Sequence, residues 1–318
     1  MMSSSEPAMN TAPFHALGID VGGTKIAAGV VSFPEGRVCS QQVIPTEPWR
    51  GGEAVLNDTV RLAEELAAGA QANGLNVKGI GLGLCELVDP AGRILSANCV
   101  RWQDLPVADR LARLAPVALE ADVRAAALAE ALFGAGRSLR IFLYVTIGTG
   151  ISSCLVIDGH PFVGARGATG TMASSPMSLT CEQCGHVNHR TLEEIASGPA
   201  LAARLSQRRP GAAKNGKDVL AAVAAGDADA REIVRSAGES LESTVGLLVN
   251  VLDPEAVIVG GGLGLSEGPY WESLIASTRR HIWSEVHRGL PFLRAATGHN
   301  AGVIGAAAAV WKKLKASG

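Results

Sequence analysis

The sequence predicts an α/β protein built as two lobes, and three observations carry that expectation. The chain has 318 residues, more than one ordinary hydrophobic core fills and comfortable for two. Strand-like apolar runs open each half and helical segments follow them, as in an α/β fold. Two distant hairpins, over 15–33 and 141–164, each carry a tip rich in glycine and threonine.

Residues 1–13, MMSSSEPAMNTAP, read as a loose polar tail without an apolar signal core. The next segment, HALGIDVGGTKIAAGVVSF, reads as strand, tight glycine turn and strand. RVCSQQVI forms a third strand candidate, and 53–72 has helical periodicity. VKGIGLGLCELVD alternates little, as expected of a buried central strand. VALEAD is a short strand running into an alanine-rich helix over 123–133, closed by Gly134. The pattern then restarts with IFLYVTIGTGISSCLVIDG, a strand, a Gly-Thr-Gly turn and another strand. Helices are expected over 192–205, over 217–225 and as one long stretch over 227–251. AVIVGGGLG is a strand entering a glycine turn, and AGVIGAAAAVWKKLK is a closing helix.

Composition excludes several function classes. Hydrophobic residues make up 47% and charged residues 18%, a globular balance. Lys plus Arg is 28 against 30 for Asp plus Glu, a formal net charge of -2. That leaves no electrostatic footprint for nucleic acid or an anionic membrane. No apolar run reaches spanning length, so a cytoplasmic location is expected. Of the six cysteines, at 39, 85, 99, 154, 181 and 184, only Cys181 and Cys184 lie close enough in sequence to suggest a shared task.

The glycine tips suggest phosphate chemistry. A polyphosphate needs backbone N–H donors at close approach, which glycine permits because it lacks Cβ. Gly22, Gly23 and Thr24 form one tip beside Lys25; Gly148, Thr149 and Gly150 form the other, after Thr146. Either tip alone is an ordinary hairpin turn; together with Gly260, Gly261 and Gly262 they point to a nucleotide. Neither a P-loop nor a dinucleotide fingerprint is present. Asp20, at a strand end, either holds Mg²⁺ through water or caps its own turn. Asp122 begins a helix, where it could act as an N-cap; between phosphate loops it reads instead as a general base for phosphoryl transfer.

GIDVGGTKIAAGVV, ADVRAAALAE, VTIGTGIS, ASGPAL, VIVGGGL and AGVIGAAAA, in this order over about 17–310, resemble the ROK family (repressors, open reading frames and kinases) of the hexokinase–actin superfamily. The resemblance implies two actin-like (ribonuclease H-like) lobes with ATP in the cleft between them. The first comprises 14–123 with 300–318, through a returning C-terminal helix, and the second 124–299. It implies Asp122 as the catalytic base, a C6 hydroxyl as acceptor, Asn98 and Glu193 as sugar ligands, Gly260–Gly262 on the adenosine side, and a homodimer. Family repressors carry a helix-turn-helix ahead of the first glycine loop; only a short tail precedes it here, so DNA binding is not expected.

The sequence also departs from the family. Ala121 stands where an Asn normally precedes the catalytic Asp, and Cys85-Glu86 replaces a Pro-Gly of the sugar pocket. Thr171-Met172-Ala173-Ser174 replaces Glu-x-Gly-His, and Ser152-Ser153 stands where glycine is preferred. Lost partners would leave sugar hydroxyls unpaired, at roughly 1–3 kcal/mol each, so glucose itself is not the expected substrate. Glu86 is open to two readings. It could pair with the ammonium of an amino-hexose such as kanosamine, or be satisfied by Arg101 or Arg124.

In CEQCGHVNH, Cys181, Cys184, His186 and His189 fall within nine positions. They either form a structural Zn²⁺ knuckle or a polar loop with two reduced thiols. The expected function is an ATP- and Mg²⁺-dependent sugar kinase with a small-molecule sugar substrate. The alternative is a sugar-binding regulatory protein that has lost catalysis.

Overall fold

The computed structural model describes residues 13–316 except 177, 178, 181, 182 and 186. The first sheet is laid down by β1 (Phe14–Val21), β2 (Lys25–Phe33) and β3 (Arg37–Pro45), an antiparallel meander whose inner strands are almost wholly buried. Helix α1 (Gly52–Ala72) buries Val55, Leu56, Thr59, Leu62, Ala63, Leu66 and Ala70, the stripe its 3.6-residue periodicity predicts. It forms one core with β1, β2 and the following strand, β4 (Val77–Leu84). After a short α2 (Val107–Leu111) comes β5 (Val117–Ala121), which runs directly into α3 (Asp122–Phe133). Strands β4 and β5 lie parallel to β1, giving the order β3-β2-β1-β4-β5.

The second sheet repeats the plan. An antiparallel set, β6 (Ile141–Ile147), β7 (Ile151–Ile157) and β8 (His160–Pro161), is followed by a small hairpin of β9 (Leu179–Thr180) and β10 (Val187–Asn188). Five helices follow: α4 (Glu193–Ala196), α5 (Gly198–Arg208), α6 (Gly216–Ala224), α7 (Ala228–Ser240) and α8 (Glu242–Leu252). Then come β11 (Ala256–Gly260), α9 (Gly261–Gly264), α10 (Pro269–His281), α11 (Glu285–Arg288) and β12 (Phe292–Arg294). Strands β11 and β12 are parallel to β6, so the order β12-β11-β6-β7-β8 mirrors that of the first sheet. Parallel neighbours need crossovers, and the helices supply them. The long helix expected over 227–251 is interrupted at Leu241, a fully buried residue where α7 gives way to α8 and both pack on α10.

The last helix, α12 (Ala301–Ala316), packs on β1 and β4 and pairs with α3. Val303, Ala307 and Val310 of α12 share a core with Ala16, Ala27, Val31 and Phe33 of the first sheet. On the other side, Val123, Ala126, Ala127 and Ala131 of α3 pack on Phe142, Tyr144, Cys154, Val156 and Ile258 of the second. The two helices are therefore the filling between two sheets. Small residues permit that spacing. A Cβ added to Gly18 would lie 1.9 Å from the Val303 carbonyl oxygen, one on Gly81 1.7 Å from that of Ala306, and one on Gly305 1.7 Å from that of Ala125. Fully buried Glu130 of α3 accepts the backbone N–H groups of Ala135, Ala296 and Thr297, which fixes the chain just ahead of α12.

Two substitutions test this packing in opposite directions. Gly305→Val forces α3 and α12 apart and is expected to lower unfolding free energy by at least about 1–3 kcal/mol, read as an earlier urea midpoint. Gly69→Ala, at an exposed position of α1 where an added Cβ meets nothing within 4 Å, is expected to raise it by about 0.5–1 kcal/mol.

Candidate active site

Three residues, Gly22–Thr24, turn β1 into β2, and three, Gly148–Thr149–Gly150, turn β6 into β7. Because the sheets share one topology, Asp20 and Thr146 occupy equivalent places, each the penultimate residue of a central strand. In the first tip the Gly22 N–H donates to the Lys25 carbonyl at 3.0 Å, and buried Thr46 donates its hydroxyl to the Gly22 carbonyl at 2.6 Å. Thr24 and Lys25 face solvent. In the second tip the Gly148 N–H donates to the Gly150 carbonyl at 2.9 Å, and the Gly148 carbonyl accepts the N–H of Gly198, the first residue of α5, at 2.8 Å. A Cβ on Gly148 would lie 3.6 Å from the Gly262 amide nitrogen, so the second and third glycine segments converge. Gly261 has φ of +79°, a left-handed conformation, and a side chain there would strike the Ile147 backbone. Gly198 was not among the expected site residues; its backbone contact with the tip is a tertiary feature. An open groove of ≈ 490 Å³ continues from Thr149 along α5, lined by Glu193, Ser197, Ala200 and Arg204.

Asp122 is the first residue of α3, set there because β5 ends at Ala121 without an intervening loop. Among the described residues its hydrogen bond comes from the adjacent Val123 N–H, at 2.6 Å to Oδ1. Burial pushes its carboxyl up to about 7, and the charges of Asp20 and Glu86 add to the rise; the Val123 N–H and Arg124 oppose it. Asp20 is pushed up to about 6 by burial, opposed by Lys25. Its carboxylate rests on the first turn of α12, where a Cβ on Gly302 would lie 2.3 Å from Oδ2. Across the sheets, burial raises the Tyr144 phenol of β6, and the charges of Glu130, Asp122 and Asp20 raise it further. Both carboxyls therefore lie within electrostatic reach of the second sheet. Two desolvated carboxyls, one of them raised further by the charge of the other, with one lysine as counter-charge, fit a divalent cation.

The sugar-side expectations fare differently. Glu86 is buried, and its carboxylate is consumed by its own neighbourhood. Oε2 accepts the Ser96 hydroxyl at 2.5 Å and the Asn98 N–H at 2.9 Å; Oε1 accepts the N–H groups of Cys99 and Val100 at 2.6 and 2.9 Å. Four bonds fill the acceptor capacity of a carboxylate, so the expectation that Glu86 pairs with a substrate ammonium is withdrawn. Neither arginine serves it. Arg124 pairs with Glu120 and donates to the carbonyls of Val88 and Gly167, and Arg101 is exposed. Glu86 instead shapes the loop that presents Asn98, which is exposed. Glu193 begins α4 and lies against the second tip, accepting the Ile151 N–H at 2.8 Å. Of the residues replacing Glu-x-Gly-His, Ala173 is buried and accepts the Glu193 N–H, while Ser174 is exposed.

Of the four residues weighed for Zn²⁺, Cys181 and His186 lie outside the described residues. Cys184 and His189 are exposed, near the β9–β10 hairpin. Among the described residues no three His, Cys, Asp or Glu side chains gather around a common metal position. Sequence spacing singled out Cys181 and Cys184 as the one related pair. Tertiary structure joins another: the Cys85 and Cys99 thiols, fourteen residues apart, lie close enough to shift each other's ionisation.

Comparison with known proteins agrees with this architecture. The model of the ROK family matches residues 16–313. A glucokinase of Streptomyces coelicolor is 31% identical over 324 residues, covering 92% of this chain and 96% of the relative. The ROK hexokinase of Thermus thermophilus superposes with TM-score 0.73 at 34% identity, over 95% of this chain and 100% of that one. A ROK glucokinase of Streptomyces griseus, crystallised with glucose and AMPPNP, superposes with TM-score 0.79 at 28% identity, over 92% and 98%. With glycine-lined tips on two sheets of one topology and a family match running nearly end to end, the chain belongs to the ROK family and is a sugar kinase of the hexokinase–actin superfamily.

Proposed function

We propose that the protein transfers the γ-phosphoryl group of ATP to a hexose hydroxyl, the one on C6, with Asp122 as general base. The observation that carries the reading is the Asp122 carboxyl. It stands at a helix start with one local hydrogen bond and is pushed up to about 7, close to the pH at which a base works best. The glucose and AMPPNP of the Streptomyces griseus glucokinase support the substrate pair. The N–H groups of the two tips not used within the turns, and those of Gly260–Gly262, would hold the polyphosphate, and Asp20 would hold Mg²⁺. The cation, when bound, neutralises charge on the phosphoryl oxygens. Asn98 and Glu193 bind the sugar. Asp122 takes the hydroxyl proton as the new O–P bond forms and ADP departs. With Glu86 engaged by its own loop, a neutral hexose fits better than an amino-hexose.

A second reading, a sugar-binding protein without turnover, is motivated by the replacement of Glu-x-Gly-His by residues 171–174. ADP release with a panel of hexoses and amino-hexoses separates the two. No helix among the described residues is long and apolar enough to cross a membrane. A homodimer is supported by an exposed apolar cluster of Leu247, Val251, Trp283 and Val286 on adjoining segments, with Trp283 87% exposed. Zn²⁺ at Cys181, Cys184, His186 and His189 is retained as a proposal; metal analysis of protein purified without chelator should find one zinc per chain.

Asp122→Asn should cut kcat by about 10²–10⁴-fold. The folded state binds the Asp122 proton more tightly than the unfolded chain does, so ionisation near pH 7 costs the fold stability. The Asn variant should therefore melt no lower than the parent at pH 8. For the parent, kcat/KM should fall about tenfold per pH unit on the acid side of this ionisation, and added magnesium should displace that limb to lower pH. Trp283→Asp should shift the sedimentation coefficient from dimer to monomer.

A further inference from the structure

The mechanism leaves one half-buried thiol pair unused. Cys85 follows β4 directly, and its N–H donates to the Val21 carbonyl at 3.1 Å, so it is pinned to the end of β1 beside the first glycine tip. Cys99 comes from the other side, on the loop that Glu86 organises, with its N–H on Glu86 Oε1 at 2.6 Å. Its sulfur lies 3.0 Å from where a Gly23 Cβ would be. Both side chains pack on the edge of the same apolar core, both are partly exposed, and both are reduced. Their thiols lie close enough to shift each other's ionisation and within electrostatic reach of Asp122.

We infer that Cys85 and Cys99 form a redox-modification site, a thiol pair that a low-molecular-weight disulfide converts into an intramolecular disulfide across the acceptor side of the active site. Cys99 is the attacking group. Interaction with Cys85 lowers the pKa of Cys99 and favours its thiolate, whereas the Cys85 thiol is raised by the same contact and by burial. The Cys99 thiolate attacks one sulfur of the oxidant, forming a mixed disulfide and expelling one thiolate. Cys85 then gives up its proton and attacks the Cys99 sulfur, expelling the second half of the oxidant as a thiol. The protein loses two protons and two electrons, and the oxidant becomes two thiols. The new bond ties the loop bearing Asn98 to the strand end beside Asp122. Resting on the proposed kinase reading, that tie disturbs the acceptor position, and a misplacement of about 1 Å can cost on the order of 100-fold in rate.

Oxidised glutathione is the probe. Lys78, Arg93 and Arg101 allow trypsin to place Cys85 and Cys99 on separate peptides, 79–93 and 94–101. After oxidation the two peptides should appear as one disulfide-linked species that separates on reduction. Hexose-dependent ADP production should fall on the order of 100-fold and return with dithiothreitol, while Cys85→Ser protein, exposed identically, should keep its own starting rate. The inference is overturned if only a Cys181–Cys184 linkage or stable glutathione adducts are found, or if Cys85→Ser is inactivated as fully as the parent. Peptide mapping reads bond formation without turnover, so a linked pair in a protein that phosphorylates no sugar would sink the kinase reading alone.

Discussion

The contact on which the rest depends is the backbone approach of α12 to α3, where Gly305 meets the carbonyl of Ala125. One turn earlier on each helix stand Gly302, which carries the Asp20 carboxylate, and Asp122. The close approach of the two helices thus lies one turn from where Asp20 of β1 meets α12 and where Asp122 begins α3. Any side chain at 305 would strike the Ala125 carbonyl and force the two helices apart. The glycines at 18 and 81 play the same part on the sheet side, letting α12 lie directly on β1 and β4.

That approach has an electrostatic consequence. Burial raises both carboxyls, Asp20 to about 6 and Asp122 to about 7, and the charge of Asp20 adds to the rise of Asp122. Carboxyls held above their usual range in this way suit a divalent cation, whose positive charge would favour the ionised form of each. Glu86 follows the opposite logic. It is buried too, but four donors surround it, so its charge serves to shape a loop. Two acids close in space thus take different roles according to whether the backbone around them offers hydrogen bonds.

Much of the site could be read from residue order. The tips Gly22–Thr24 and Gly148–Gly150, the strand-end Asp20 and the helix-start Asp122 are local features, since a turn, a strand end and a helix cap are each written within a few residues. Glu86 was misread because its partners, Ser96 and the amides of 98–100, come from a loop whose path depends on packing. The Cys85–Cys99 pair escaped for the same reason: sequence spacing favours neighbours, whereas β-sheet edges and loops join distant positions. The break at Leu241 was likewise invisible, because helical periodicity continues through it and the bend is imposed by α10.

By itself the sequence determined the fold class and the order of most strands and helices, and it placed glycine-rich turns at the tips of both sheets, because hydrophobic period and glycine placement are encoded residue by residue. Tertiary structure alone decided which groups meet: Asp20 with Asp122, Gly148 with Gly262, Glu86 with its loop, and Cys85 with Cys99. Those meetings are fixed by how closely two sheets and two helices can pack, and that closeness is a property of the assembled backbone that no single segment carries.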